Sequence, residues 1–156
     1  ESGAALDGLK RAMEAVARSL ALDVVRDGEG ATTVVRLAVT GAADEDDARS
    51  VARRLATSPL VKTAVHGGDP NWGRLMAAAG SAGVDVDPRA LSVWIGDVRV
   101  VRGGTGVAGV EEEAARAMAA DEVEIRVDLG AGEARHHMWT CDLTEEYVRV
   151  NGSYTS

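Results

Sequence analysis

The segment DGEGAT, residues 27–32, places one carboxylate between two glycines, directly after an apolar helical pattern and directly before a strand. Glycine adopts positive φ and lets the backbone approach a ligand closely. Glu29 therefore projects from a tight loop, where a carboxylate can hold a cationic group or influence a proton transfer. A glycine-rich surface turn with a solvated acid explains the same residues, since such turns are common.

A second polar group occupies the segment VKTAVHGGDPNWGR, residues 61–74. Glycines followed by an N-cap and a helix N-terminus form a possible anion site, and His66 could act there as a base or a ligand. The segment lacks the Gly-Lys-Ser/Thr ending of a nucleotide-binding loop, so nucleotide phosphate is only weakly supported. A histidine with a purely structural role is the alternative for His66.

The segment HHMWTC, residues 136–141, raises the question of a zinc site. In a strand His136 and His137 point to opposite faces, and Cys141 shares only the face of His137. Two ligands on one strand do not make a tetrahedral site, and no second pair completes one. The sequence therefore predicts no metal.

The last segment, CDLTEEYVRVNGSYTS, residues 141–156, carries apolar side chains that favour burial of the chain end. An ordered end would bring Asn151 and Ser156 into the structure, where an amide and a hydroxyl need partners. A substrate could supply those partners, and so could backbone groups. The residues alone thus indicate an α+β domain with a possible anion or amino-acid site, and no nucleophile–base signature accompanies it.

Composition narrows the class of protein. The chain has 156 residues, of which 46% are apolar and 3% aromatic, with a formal charge of −8 and one cysteine. This length suits a single domain over residues 1–156. Few rings and an acidic charge argue against nucleic acid, and no apolar run reaches the ~20 residues of a membrane span. A lone cysteine and no visible signal peptide lead us to expect a cytoplasmic protein.

The elements that must position these residues alternate between helices and strands. Apolar spacing predicts helices at residues 4–25, 44–56, 70–79 and 109–121. Alternation predicts extended segments at residues 32–40, 59–67, 91–101, 122–130 and 133–142. The last two are expected to pair across the turn at residues 130–132. Because many strands form hairpins, we expect a mixed or antiparallel sheet covered by helices.

Three of these stretches together resemble the C-terminal part of the ornithine acetyltransferases, also called glutamate N-acetyltransferases. They are DGEGATT, SPLVKTAVHGGDPNWGRLMAAAG and CDLTEEYVRVNGSYTS, which follow one another with compatible spacing over most of the chain. The resemblance implies a layered α/β/β/α sandwich like that of the N-terminal-nucleophile hydrolases.

The resemblance also implies the chemistry. A precursor cuts itself into an α and a β chain, and the new N-terminal threonine carries an acetyl group from N-acetylornithine to glutamate, with no cofactor. An α2β2 heterotetramer is the implied assembly. This chain begins at Glu1 and corresponds to the C-terminal portion of the β chain, so we expect the nucleophile upstream, no catalytic residue here and no activity in isolation.

Position within the matched motifs makes Glu29, Asn151 and Ser156 the implied substrate contacts, and we expect them to converge in space. Two other functions stay open: an amidohydrolase or aminopeptidase acting on acylated amino acids or small peptides, and a non-catalytic binding or assembly domain. Relatives that serve antibiotic pathways also leave open whether the chain supplies arginine.

Overall fold

The computed structural model describes residues 2–153, which form six helices and one six-stranded sheet. The strands are β1 (Val34–Ala42), β2 (Ser92–Ile95), β3 (Val98–Arg102), β4 (Thr105–Gly106), β5 (Glu122–Asp128) and β6 (Ala134–Cys141). The helices are α1 (Ser2–Arg26), α2 (Glu45–Ala56), α3 (Pro59–His66), α4 (Trp72–Gly80), α5 (Glu111–Met118) and α6 (Glu145–Gly152).

The sheet is mixed, with the strand order β4-β3-β2-β5-β1-β6. Only β1 and β5 run parallel, while the other neighbouring strands are antiparallel. The predicted α+β class is therefore confirmed, and β1 pairs on both sides, with β5 and with β6. Residues 2–153 contain this one sheet.

One face of the sheet forms the core. Alternate residues of β1 and β5 on this face are buried, and so are the inward residues of α2 and α4 that cover them. These residues are Val35, Leu37, Val39, Val123, Ile125, Val127, Val51, Leu55, Leu75 and Ala79. Each large aliphatic side chain stabilises the fold by about 1.5–3 kcal/mol through its removal from water.

The other face of the sheet is polar. Arg36 of β1 forms an ion pair with Glu124 of β5. On β2, the ring of Trp94 lies between two guanidinium groups, 4.4 Å from Arg99 and 4.3 Å from Arg126. These side chains are half-buried, so this face is not an apolar core.

Helix α1 turns its apolar stripe away from the rest of the molecule. Six of its large apolar side chains are 52–73% exposed: Leu6, Leu9, Met13, Val16, Leu20 and Val24. The opposite side of α1 faces β6, where Arg18 lies 5.3 Å from the ring of Trp139. The predicted helix is confirmed, but its apolar side does not pack on the described core. No helix within residues 2–153 has the length and apolarity to cross a membrane.

Three local predictions are wrong. Residues 59–66 form helix α3 rather than an extended segment, because Ser58 caps it and Pro59 suits a first turn. Helix α4 starts later than predicted, with Asn71 rather than Asp69 as its N-cap. Strands β5 and β6 do not pair with each other, since β1 lies between them.

Gly104 offers a test of this packing. It has φ +74°, and an added Cβ would lie 2.2 Å from the Pro88 carbonyl oxygen. We expect Gly104→Ala to lower the free energy of unfolding by about 2 kcal/mol or more, because strain and a backbone clash add. Denaturant unfolding measures the change. Gly8→Ala, in α1 with nothing within 4 Å of the added Cβ, should be neutral or stabilising by up to about 1 kcal/mol. Equal effects of the two substitutions would contradict this account.

Candidate functional site

The loop between α1 and β1 packs directly on the start of α6. Gly30 has φ +69°, and a Cβ there would meet the Tyr147 nitrogen at 2.8 Å and the Thr144 hydroxyl at 2.9 Å. The Thr144 hydroxyl donates to the Gly30 carbonyl at 2.8 Å and accepts from the Tyr147 N–H at 3.2 Å. Thr144 is thus both the N-cap of α6 and a fastening for the loop.

A buried carboxylate holds the next part of the same loop. The Asp142 side chain has 0% exposure. It accepts from the Thr32 N–H at 2.8 Å, the Thr33 N–H at 3.0 Å and the Thr32 hydroxyl at 2.6 Å. His66, at the end of α3, adds a fourth contact at 3.1 Å from its Nδ1. These donors satisfy a charge that would otherwise be costly to bury.

His66 lies between two carboxylates, which shifts the ionisation of the groups involved. Its Nε2 is 2.9 Å from Glu145. Partial burial lowers the pKa of His66, but the contacts with Glu145 and Asp142 outweigh it and raise that pKa above its usual value. Burial opposes ionisation of Asp142, yet the hydrogen bonds from Thr32, Thr33 and His66 keep the pKa of its carboxyl below the usual range.

The signs of these shifts set the pH range of the ion pair. The contribution of His66 is complete below its unfolded pKa of about 6.5 and is lost as pH rises through its raised folded value. That of Asp142 is complete above its unfolded pKa of about 3.9 and is lost as pH falls through its lowered folded value. The pair therefore stabilises the fold most between about pH 4 and pH 6.5.

Glu29 and Asn151, which are 122 residues apart, are in contact. The Asn151 side-chain amide donates to Glu29 Oε2 at 2.7 Å and to the Tyr147 carbonyl at 3.0 Å. Both side chains are exposed. Because the amide N–H groups are engaged, the pair presents carboxylate and amide oxygens, which accept hydrogen bonds. Such a pair suits a cationic donor such as an ammonium group.

The structure bears on two of the three predicted contact residues. Glu29 and Asn151 come together as expected, and their role in binding stays a prediction. Ser156 lies outside the described residues.

The polar side chains of residues 61–74 bind the protein itself. Asn71 caps α4 by accepting from the Arg74 N–H at 3.2 Å. Arg74 donates to the Leu60 carbonyl and to the Thr63 hydroxyl, both at 3.2 Å. The Lys62 ammonium lies 3.5 Å from the Thr140 hydroxyl. These contacts support a structural role for the segment, with His66 as its link to Asp142.

The paired histidines lie on opposite faces of β6, as predicted. His136 is opposite Val39 and His137 is opposite Ala38 in the register with β1. In the part of the chain that the structure describes, no three His, Cys, Asp or Glu side chains group together in a way that could hold a metal ion.

Sequence reasoning missed the residues that hold the site together: Thr32, Asp142 and Thr144. A threonine followed by two glutamates, as in residues 144–146, is a recognisable helix start and could have identified the cap of α6. The contact between Asp142 and a loop 109 residues away leaves no local signal.

Comparison with known proteins identifies the family of the chain. All of residues 1–156 match the model of the ArgJ family. The chain is 49% identical over 152 residues to the arginine biosynthesis bifunctional protein ArgJ of Brucella suis biovar 1 (strain 1330), an alignment that covers 97% of this chain and 37% of the relative. It is 50% identical over 149 residues to the glutamate N-acetyltransferase of Methanopyrus kandleri, covering 93% of this chain and 38% of that protein.

A solved structure has the same fold as this chain. The crystal structure of ArgJ from Bacillus halodurans superposes with a TM-score of 0.91 at 38% identity, covering 95% of this chain and 70% of that one. The chain spans less than two fifths of the length of the curated relatives named above. The resemblance seen in the motifs is confirmed, and the chain belongs to the ArgJ family.

Proposed function

We propose that this chain is the substrate-binding portion of an ornithine acetyltransferase, which transfers an acetyl group from N-acetylornithine to glutamate. The observation that carries the proposal is the 2.7 Å contact between Asn151 and Glu29. Family membership supports it, because a relative of 50% identity is named glutamate N-acetyltransferase.

The exposed oxygens of this pair fit the substrates of the proposed reaction. Ornithine and N-acetylornithine carry an ammonium group, which can donate to the carboxylate of Glu29 and to the side-chain oxygen of Asn151. A site that hydrogen-bonds such a group rejects analogues that lack it, since its own polar atoms would then lose their partners. Ser156, as a third proposed contact, adds a hydroxyl.

The transfer itself proceeds through an acyl-threonine. The threonine hydroxyl, supplied by another segment of the enzyme, attacks the acetyl carbonyl of N-acetylornithine, and ornithine leaves with the proton. The amine of glutamate then attacks the ester, which restores the hydroxyl and yields N-acetylglutamate. Two easier steps replace one difficult transfer. The amine of the threonine serves as the base that activates its own hydroxyl.

The proposed enzyme needs a partner for this chain, and α1 supplies a suitable surface. Its exposed residues Leu6, Leu9, Met13, Val16 and Leu20 are spaced alternately by three and four. That spacing forms a narrow apolar seam of the kind that packs against another helix. The relatives extend well beyond the matched region, so we propose that the α chain of the same precursor covers this seam, in an α2β2 assembly.

Glu29→Gln in the assembled enzyme tests the role of the carboxylate. We expect the rate of acetyl transfer to fall roughly tenfold to hundredfold, because a charge-assisted hydrogen bond contributes about 1.5–3 kcal/mol. Initial rates with N-acetylornithine and glutamate measure it. Glu133→Gln, at an exposed position between β5 and β6, should leave the rate unchanged. A folded Glu29→Gln enzyme at the wild-type rate would remove Glu29 from the site, and acetate release that ignores glutamate would indicate a hydrolase.

Adjacent positions on α1 test the seam. Leu20→Glu puts a charge on it, whereas Ala21→Glu puts the same charge on an exposed flank of the helix. We expect Leu20→Glu to reduce recovery of the α chain with a tagged β chain at least about tenfold, since burying a lone carboxylate is costly. Ala21→Glu should copurify normally. Equal recovery from both variants would show that the seam is not the contact.

A further inference from the structure

We infer that Asp142 and Thr144 are positioning residues, which hold the loop of Glu29 against α6 so that Glu29 and Asn151 form one pair. Its consequence for catalysis rests on the function proposed above. The positioning of Glu29 against Asn151 does not depend on that function.

Two anchors hold the chain on the C-terminal side of Glu29. Gly30 is held by the Thr144 hydroxyl, and Thr32 and Thr33 are held by the Asp142 carboxylate. Glu29 is therefore one residue from the first anchor and three from the second. Its backbone has little freedom to move away from α6.

The same short segment also fixes Asn151. Thr144 caps α6, which begins at Glu145. Asn151 lies seven residues beyond the cap and bonds back to the Tyr147 carbonyl one turn earlier. Residues 142–144 thus position both members of the pair. They hold Glu29 through its loop and Asn151 through helix α6.

Helix α3 supports this segment from behind. His66 contacts both Asp142 and Glu145, and the Leu143 N–H donates to the Lys62 carbonyl at 3.2 Å. This gives the conspicuous segment at residues 61–66 a use that its sequence alone did not reveal. His66 of this segment helps to hold the Asp142 carboxylate in place, and that carboxylate holds the loop of Glu29.

The opposite end of the sheet provides a matched control. Asp128 accepts from the Thr40 hydroxyl at 2.8 Å and from the Gly130 N–H at 2.9 Å. It is a half-buried carboxylate with the same kinds of donors as Asp142. It lies at the far end of β1, about 20 Å from the loop of Glu29 by strand rise.

Nuclear magnetic resonance of the assembled enzyme, with this chain isotopically labelled, tests the inference without a measurement of activity. In Asp142→Asn the side-chain amide signals of Asn151 should move towards their positions in Glu29→Ala, where the contact is lost. In Asp128→Asn they should stay in place. If Asp142→Asn does not fold, Thr32→Val removes the shortest bond to Asp142 and should move the signals in the same direction. Asn151 signals unchanged in a folded Asp142→Asn chain, or in Thr32→Val where it alone folds, would overturn the inference.

Kinetics of the assembled enzyme separate positioning from a general structural role. Asp142→Asn should raise KM for N-acetylornithine about tenfold or more and lower kcat less, because misplacement of a binding group weakens binding. The double variant with Glu29→Gln should be no worse than Glu29→Gln alone. Effects that multiply would mean that Asp142 acts independently of Glu29 and would overturn its positioning role. If Glu29→Gln alone changes nothing, the proposed role of Glu29 in binding fails, and the Asn151 signals alone decide the inference.

Discussion

The buried carboxylate of Asp142 is the interaction on which this end of the molecule depends. Strands β1 and β6 are antiparallel, with Val34 opposite Cys141, so the end of β6 lies beside the start of β1. The ladder continues one step further, where the Asp142 N–H donates to the Thr33 carbonyl at 3.1 Å. The carboxylate then takes the two N–H groups that precede the strand. Strand register therefore places the residue that organises the loop.

The sheet has two chemically different faces, and this difference explains the behaviour of α1. The face covered by α2 and α4 buries aliphatic side chains, whereas the other face carries the Arg36–Glu124 ion pair and Trp94 between two arginines. A polar face offers no apolar surface to a helix. Helix α1 approaches it with a mostly polar side that includes Arg18, whereas Leu6, Leu9 and Leu20 lie on its exposed side. The amphipathic pattern was correct, and its apolar stripe lies on the side away from the core of this chain.

Sequence patterns predicted those elements whose causes are local. Alternation identified β1 and the extended stretch that forms β2 and β3, and apolar spacing identified α2. Helix α3 was missed because it is short and includes two valines and a threonine, β-branched residues that favour strands. The pairing of β5 and β6 was wrong because alternation shows that a strand has two faces, not which strand lies beside it. The matched motifs identified Glu29 and Asn151 as candidate site residues. Their side-chain contact and the position of Asp142 depend on long-range strand register, which no local pattern shows.

The two glycines around Glu29 now have a physical explanation. Gly30 allows α6 to approach, because any Cβ would meet the Tyr147 nitrogen, and its φ of +69° turns the chain into β1. Gly28 is nearly as tight, with a Cβ that would lie 3.2 Å from the Val25 carbonyl and 3.3 Å from the Cys141 sulfur. Glu29 thus lies between Gly30, where no side chain fits, and Gly28, where a side chain would be crowded. The structural interpretation of this turn is compatible with the proposed functional one, because the close packing at the two glycines leaves the carboxylate in contact with Asn151.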